Sequence, residues 1–144
     1  MNVETQVTNP QAPWIGPRGR IGVIIPSTNI GVEHDCQQII ADGVTWHFAR
    51  FFIKVRDLSS DESFLKFVEA IQKTIPLAVR DVVTAEVRHV MMGMSAETFW
   101  GGVDGNNAFQ DRVLDIMGPG LKLTTGADAA VAALRKFGAK KLAV

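Results

Sequence analysis

Small hydroxyl and amide side chains follow three apolar segments of the chain. They are Ser27, Thr28 and Asn29 after RIGVIIP, Ser95 and Thr98 after EVRHVMMGM, and Thr124 and Thr125 at the end of LKLTTG. Side chains of this kind donate hydrogen bonds, and with the N–H groups of following helix N-termini they cradle carboxylate or phosphate oxygens. Each is also an ordinary helix N-cap. Their repetition in three loops that converge on one edge leaves two interpretations open, an anion pocket and a set of ordinary helix caps.

Other reactive residues do not form a recognisable site. The three histidines, His34, His47 and His89, lie on separate predicted elements, and the sequence has no metal-ligand spacing. His89 is on the polar phase of a strand, which indicates a structural role. Cys36 is on the apolar face of a predicted helix, where a small buried residue is expected rather than a nucleophile. Glu33 and Asp35, in the first turn of that helix, are interpreted as helix-dipole partners rather than as acid and base.

Composition and motifs exclude several classes of protein. The 144 residues carry 15 basic and 15 acidic side chains, so the charge balance predicts neither nucleic acid nor an anionic membrane as a partner. No apolar run approaches the ~20 residues of a membrane helix. GPRGRIG precedes a strand, whereas a dinucleotide fingerprint follows one, and no GxxxxGK[ST] motif occurs. Because the sequence has one cysteine and no signal-peptide pattern, we expect a cytoplasmic protein. The lack of metal-ligand spacing predicts that it binds no metal.

Apolar periodicity predicts strands that alternate with helices. Residues 1–18 contain three prolines and no periodicity, and are predicted to be a flexible arm. The predicted strands are residues 20–26, 44–53, 86–94 and 121–126, with a fifth opening in KKLAV. Four helices are predicted. The first has apolar positions at Val32, Cys36, Ile39 and Ile40 and ends before Gly43, and the second covers residues 62–85, where Pro76 kinks or restarts it. The third covers residues 104–118 and has an Asn or Asp cap, and the fourth covers residues 127–139 and is closed by Gly138.

This alternation predicts an α/β fold in which a parallel sheet of four to five strands is covered on both faces. The length suits one domain over residues 19–144. In such sheets ligands bind outside the carboxyl ends of the strands. The loops at residues 26–30, 93–102 and 124–127 are therefore the predicted site, with the group Met91, Met92 and Met94 as core and pocket wall.

Three segments carry a resemblance to a known family. IGVIIPSTNIGVEHD, then VMMGMSAETFWGG, then LKLTTGADAAVAALRKFGAKKLAV resemble, in order and spacing, the N-terminal half of the aspartate/glutamate racemase superfamily. The nearest branch holds the maleate cis-trans isomerases and the arylmalonate decarboxylases. The first segment is most similar to the isomerases, and the second to the decarboxylases, whose corresponding turn has the form G-T-S. The resemblance covers residues 20–144.

The resemblance implies a flavodoxin-like three-layer sandwich that is one half of a pseudo-symmetric, two-domain, cofactor-independent enzyme. Racemases and isomerases carry one cysteine in each half, and decarboxylases keep only the second. The first cysteine position falls here on Gly93 or, with a one-residue slip, on Met94. Neither residue can attack or carry a proton, so two-thiol racemization is disfavoured. Eight substrate-binding positions are implied. They are Pro26 and Ser27 in the wall, Asn29 on a carboxylate, Gly93 at the vacant cysteine position, Ser95 with the amides of Met94 and Ser95 in a dioxyanion hole, and Thr124 or Thr125 at the rim.

Two functional interpretations follow. In the first, the chain is half of an enzyme that acts on a small dicarboxylate, either by decarboxylation or by cis-trans isomerization. A second half-domain or another chain then supplies the thiol, copies of the chain are expected to associate, and the chain alone is predicted to be inactive. In the second, the chain is a non-catalytic flavodoxin-like module that binds a small anion or a flavin phosphate, or that serves in assembly. PSTNIG is short for wrapping a flavin phosphate.

Overall fold

The computed structural model describes residues 14–54, 59–94 and 101–142. In chain order its elements are β1 (Gly19–Pro26), α1 (Gly31–Gln38), β2 (Val44–Phe51), α2 (Asp61–Gln72), α3 (Ile75–Val83), β3 (His89–Met92), α4 (Gly102–Met117), β4 (Lys122–Thr124) and α5 (Gly126–Lys136). No helix in these ranges has the length and apolarity needed to cross a membrane.

The strands form one parallel sheet in the order β2-β1-β3-β4. Central β1 is buried on both faces, and Val23, Ile24 and Ile25 have no exposed surface. This explains its continuous β-branched sequence. Val23 and Ile25 pack with Cys36 of α1 on one face, and Ile24 packs with α2, α3 and α4 on the other. The predicted α/β fold with a covered parallel sheet is confirmed.

The strand at the C-terminus of the sequence differs from the prediction. Among the described residues the sheet has four strands, and residues 140–142 of KKLAV are not in a strand. Ala143 and Val144 lie outside the described residues. The lower number of the predicted four to five strands therefore holds in the described part of the chain.

Helix boundaries required three corrections. Helix α1 ends at Gln38, so Ile39 and Ile40 lie beyond it and are 72% and 51% exposed rather than on its buried face. The predicted helix over 62–85 is two helices, and of the two effects predicted for Pro76 the restart is confirmed. Pro76 lies in the first turn of α3, where a missing N–H costs no helical hydrogen bond. Helix α4 begins after Gly101 in a left-handed conformation, with no side-chain cap, so the predicted Asn or Asp cap is wrong.

Other helix ends follow the sequence signals. Ser60 and Ser63 form a reciprocal capping box at the start of α2, within the predicted DLSSDES cap. Gly138, at φ +66°, follows α5 as expected for a helix-ending glycine.

Residues 14–18 form a turn that is fastened to the sheet. The Arg18 N–H donates to Gly43 O at 2.8 Å, and the Gly19 N–H donates to Gly16 O at 3.0 Å. Hydrogen bonds of the fold therefore begin before Gly19, inside the predicted arm. Residues 1–13 lie outside the described residues.

Candidate functional site

The loops after β1, β3 and β4 lie at one edge of the sheet. The three strands are adjacent and parallel, with Ile24 opposite Met92 and Met91 opposite Thr124. The Gly93 N–H donates to Ile24 O at 2.8 Å, which extends the pairing to the start of the second loop. The described parts of the predicted site are thus neighbours. Ser95 and Thr98 lie outside the described residues.

Ser27 anchors the first loop. Its N–H donates to Phe51 O at 2.8 Å, and its Oγ accepts the Ile53 N–H at 2.9 Å. Both bonds hold the loop to the end of β2. Because Oγ serves here as an acceptor, the hydroxyl proton remains available to a ligand. Pro26, half-buried, ends β1 beside it and accepts the Asn29 N–H at 3.0 Å.

Asn29 combines a structural role with a free donor. Its Oδ1 accepts the Val32 N–H at 3.1 Å and so caps α1, since Ile30 has no side-chain oxygen. An amide has an acceptor end and a donor end. Among the described residues the Nδ2 group of Asn29 has no hydrogen-bond partner. The cap therefore fixes the side chain with its N–H₂ group available to an anionic ligand.

Arg50, near the end of β2, was not predicted as a site residue. Its Nη1 donates to Asn29 O at 3.1 Å and more weakly to Ser27 O at 3.4 Å, and its Nη2 pairs with the Glu33 carboxylate. The guanidinium thus connects β2, the first loop and α1. The available sequence signal was an arginine at the carboxyl end of a predicted strand. Glu33, interpreted as a dipole partner, lies in the first turn of α1 and is also an ion-pair partner.

The two candidate cysteine positions lie on opposite faces. A Cβ at Gly93 would lie 2.6 Å from Ile25 Cγ2 and 3.1 Å from Val32 Cγ1, on the face that α1 covers. Side chains alternate along a strand, and Met94, half-buried, packs against the core on the other face. A side chain at position 93 would meet packed aliphatic groups rather than an open pocket, which gives the glycine a packing reason.

The threonines of the third loop hold other residues of the protein. Thr124 Oγ1 lies 2.6 Å from His89 Nε2, in keeping with a structural His89. Thr125 is fully buried and caps α5 by accepting the Asp128 N–H at 3.3 Å. Its hydroxyl is within donor range of Asn106 Oδ1, at 2.9 Å, and of Asp128 Oδ2, at 3.0 Å. Their predicted contact with substrate stays a prediction.

Cys36 is not placed for nucleophilic chemistry. Its side chain is 3% exposed, and it packs with Val23 and Ile25. Burial, followed by the negative charges of Asp35 and Glu33, raises the pKa of the thiol above its ordinary value. The thiol therefore stays protonated at neutral pH. Within the described ranges no group of three His, Cys, Asp or Glu side chains could hold a metal ion.

Two solved structures share this architecture. Neither a protein-family model nor a curated protein matches the chain. The first structure is a Nocardia farcinica maleate cis-trans isomerase in which serine replaces a cysteine, with a covalently bound succinylcysteine intermediate (TM-score 0.67, 18% identity, 83% of this chain and 49% of that chain). The second is the same isomerase bound to TRIS (TM-score 0.65, 19% identity, the same coverage). Over 83% of its length the chain has the fold of about half of a maleate cis-trans isomerase.

The likeness to the isomerase is limited in length and in sequence identity. The chain spans about half the length of the isomerase structures that it matches. The resemblance seen in the sequence to the maleate isomerase branch is thereby confirmed at the level of the fold. Because 18% and 19% identity leave most side chains different, this likeness establishes the fold and not the chemistry.

Proposed function

We propose that this chain forms one half of a cofactor-independent enzyme that acts on a small dicarboxylate, by the chemistry of a maleate isomerase or an arylmalonate decarboxylase. The proposal rests on the position of Asn29 within a fold shared with an isomerase. Over 83% of the chain the fold is that of an isomerase structure, and at the carboxyl edge of its sheet Asn29 presents an amide donor without a partner among the described residues.

The first loop supplies the carboxylate-binding groups. In this proposal Asn29 Nδ2 donates to one substrate carboxylate, and the hydroxyl of Ser27, two residues earlier in the same loop, adds a second hydrogen bond. Pro26 forms part of the wall. Arg50 does not contact the substrate in this proposal, since its Nη groups are engaged by loop carbonyls and by Glu33. Ser95, with the amides of Met94 and Ser95, completes the proposed dioxyanion hole.

The absence of a thiol at Gly93 and Met94 restricts the chemistry. Racemization needs an acid and a base on opposite faces of the reacting carbon, and these positions supply neither. One-thiol reactions remain. In decarboxylation the C–CO₂ bond breaks, the retained carboxylate becomes an enediolate held by hydrogen-bond donors, and the thiol protonates the carbon. In isomerization a thiolate adds to the alkene, the new single bond rotates and the thiolate leaves.

The thiol in this proposal comes from outside the chain. The sequence contains one cysteine, Cys36, and it is buried on α1. A second half-domain or another chain must then place a cysteine over the loops of residues 26–30 and 93–94. The chain alone is therefore expected to bind the dicarboxylate without turning it over.

A titration of the ¹⁵N-labelled chain with maleate, and separately with phenylmalonate, tests the proposal. We expect saturable NMR shifts of the Asn29 side-chain amide and of the Ser27 and Gly93 backbone amides, with no fumarate formed and no CO₂ released. Asn29→Asp keeps the oxygen that caps α1 and removes the donor, so it should abolish the shifts of the Ser27 and Gly93 backbone amides. Asn107→Asp, on the exposed surface of α4, makes the same charge change and should leave them intact.

Two results would count against the proposal. The absence of saturable shifts at these amides would favour the non-catalytic module, the second candidate, which the missing nucleophile at positions 93 and 94 also supports. A parallel titration with flavin mononucleotide then separates a flavin-phosphate module from an assembly module. Turnover well above background would contradict the placement of the thiol outside the chain.

A further inference from the structure

A cavity of about 400 Å³ opens at the amino ends of the strands, at the edge opposite the candidate site. It lies between the turn of residues 15–20, which leads into β1, and Glu86 with Arg88, which lead into β3. The turn is the GPRGR segment, whose position before the strand argued against a dinucleotide fingerprint. The proposed carboxylate site uses none of these residues.

Positive charge dominates the lining of this cavity. It contains the guanidinium groups of Arg18, Arg20 and Arg88 and the single carboxylate of Glu86. Arg20 pairs with Glu86 at 2.8 Å, which leaves Arg18 and Arg88 without a compensating carboxylate in the lining. Like charges gathered at one cavity repel one another, so a bound anion would relieve that repulsion.

The three arginines differ in how firmly they are held. Arg20 is 15% exposed in its side chain, and its Nε donates to Ile15 O at 3.0 Å, so it is fixed beneath the cavity. Arg18 uses Nη1 to reach Asp42 O at 2.9 Å. Within the described ranges the exposed Arg88 side chain has no hydrogen bond or ion pair. Arg18 and Arg88 therefore keep donors that a ligand can use.

Backbone bonds bring the cationic side chains to one place. The Arg88 N–H donates to Arg20 O at 3.2 Å, which holds the entry of β3 beside β1. Gly16 closes the turn at φ +59°, and a Cβ there would lie 2.6 Å from Thr45 Oγ1 and 2.8 Å from Gly19 O. Glycine at this position thus permits the tight turn that presents Arg18 next to Arg20.

From this cavity we infer a second ligand site, which takes the phosphate group of a small phosphorylated molecule. Guanidinium groups present parallel donors that match phosphate oxygens, and charge-assisted bonds of this type are stronger than neutral ones. A cavity of about 400 Å³ is within the range of small-molecule sites. Arg88 and Arg18 hold the phosphate, and Arg20, already paired with Glu86, supports the floor.

Titrations of the ¹⁵N-labelled chain with inorganic phosphate, pyrophosphate and ADP test the site. We expect saturable shifts of the Gly16, Gly19 and Arg88 amides that are larger than any at Asn29 or Gly93. Arg88→Gln and, independently, Arg18→Gln should each weaken binding at least tenfold. Arg135→Gln, on the exposed surface of α5, removes the same charge elsewhere and should leave the affinity within twofold of the unchanged chain. Tighter binding of ADP than of pyrophosphate identifies a larger phosphorylated ligand, and equal binding identifies the phosphate group as the whole determinant.

Three outcomes would overturn the site. The first is that none of the three ligands causes a saturable shift. The second is that Arg135→Gln weakens phosphate binding as much as Arg88→Gln does, which would indicate a general charge effect. The third is that Arg88→Gln and Arg18→Gln both bind the ligands with the affinity of the unchanged chain. Both substituted arginines are exposed, so the variants are expected to fold, which their amide spectra check directly. Maleate binding is measured from the shifts at Asn29 and Gly93, and phosphate binding from the shifts at Gly16, Gly19 and Arg88. A failure of the phosphate site therefore does not contradict the proposed function, and a failure of the proposed function does not contradict the phosphate site.

Discussion

Gly93 is the residue at which the sequence departs most clearly from a two-thiol enzyme, and its surroundings predict the effect of restoring a thiol. In Gly93→Cys the Cβ would meet Ile25 Cγ2 at 2.6 Å, so the buried Ile25 side chain or the backbone at position 93 must shift. Overpacking of this kind costs about 1–3 kcal/mol. We expect urea unfolding to show that loss and assays to show no gain of activity. Gly31→Cys is the control, since a Cβ there has its nearest contact at 3.8 Å. Wild-type stability of Gly93→Cys would contradict the packing argument.

Arg50 is expected to position the first loop rather than to bind substrate. Arg50→Met keeps the aliphatic stem and removes the bonds to Ser27 O and Asn29 O together with the Glu33 ion pair. Hydrogen exchange of the Asn29 and Val32 amides should quicken by about tenfold, because losing about 1.4 kcal/mol of local stability changes an equilibrium by that factor. Glu33→Gln keeps the carbonyl contacts and loses a surface pair of about 0–1 kcal/mol, so its effect should be smaller. Equal exchange rates in Arg50→Met and the unchanged chain would refute this role.

His47 predicts a pH dependence of stability. Burial, and then the positive charge of Arg20, lowers the pKa of this histidine below its ordinary 6.5. Between the folded pKa and 6.5 the unfolded chain binds more protons, so the contribution of His47 is fully present above pH 6.5 and is lost as the pH falls through the folded pKa. In urea unfolding between pH 5.5 and 7.5, His47→Gln should flatten the decline towards acid, and the exposed His34→Gln should not. If the free energy of unfolding declines towards acid equally in His47→Gln and in the unchanged chain, other groups cause the decline.

At the scale of elements, Thr125 connects the N-termini of α4 and α5. Thr125→Val removes the cap of α5 and leaves the buried Asn106 Oδ1 without its hydroxyl donor. Loss of a cap costs about 1 kcal/mol, and an unsatisfied buried group about 1–3 kcal/mol more. Urea unfolding should therefore show a larger loss than for Ser60→Ala, which removes the exposed cap of α2. Thr125→Ser should recover most of it. If Thr125→Val and Ser60→Ala lose the same free energy of unfolding, the hydrogen bond between Thr125 and Asn106 adds no stability beyond that of a helix cap.

The elements also show what the sequence can and cannot predict. Strand positions and the fold class followed from apolar runs such as that of β1, because burial on both faces leaves a continuous signal. Helix ends were predicted less well, since Gly101 begins α4 through its backbone conformation rather than through a side chain. Within the candidate site, Asn29 was predicted and Arg50 was not. The partners of Arg50 lie 17 to 23 residues away along the chain, and no local pattern reveals a contact of that range.

At the scale of the whole molecule, the sheet has a proposed ligand site at each end of its strands. The two proposed ligand sites occupy opposite edges of the sheet, one with neutral donors around Asn29 and one with the arginines around Arg88. Exposed apolar side chains occur on several elements, and those on α4 and α5 include Val103 and Val131. A protein arranged in this way can bind anions at both edges and still have apolar surface left for another polypeptide.

We expect copies of the chain to associate through the exposed surface of α5. No residue of α5 is buried, and Val131 faces a groove of about 620 Å³ that Val103 of α4 also lines, with exposed fractions of 45% and 76%. Burying this surface between copies is favourable at about 25 cal/mol per Å² of apolar area. Sedimentation velocity should show a mass that rises with concentration, and Val131→Glu should suppress the rise. Leu77→Glu, at a 54% exposed position of α3, is the matched control and should leave the association intact. A monomer at every concentration, or equal suppression by both variants, would reject α5 as the contact surface.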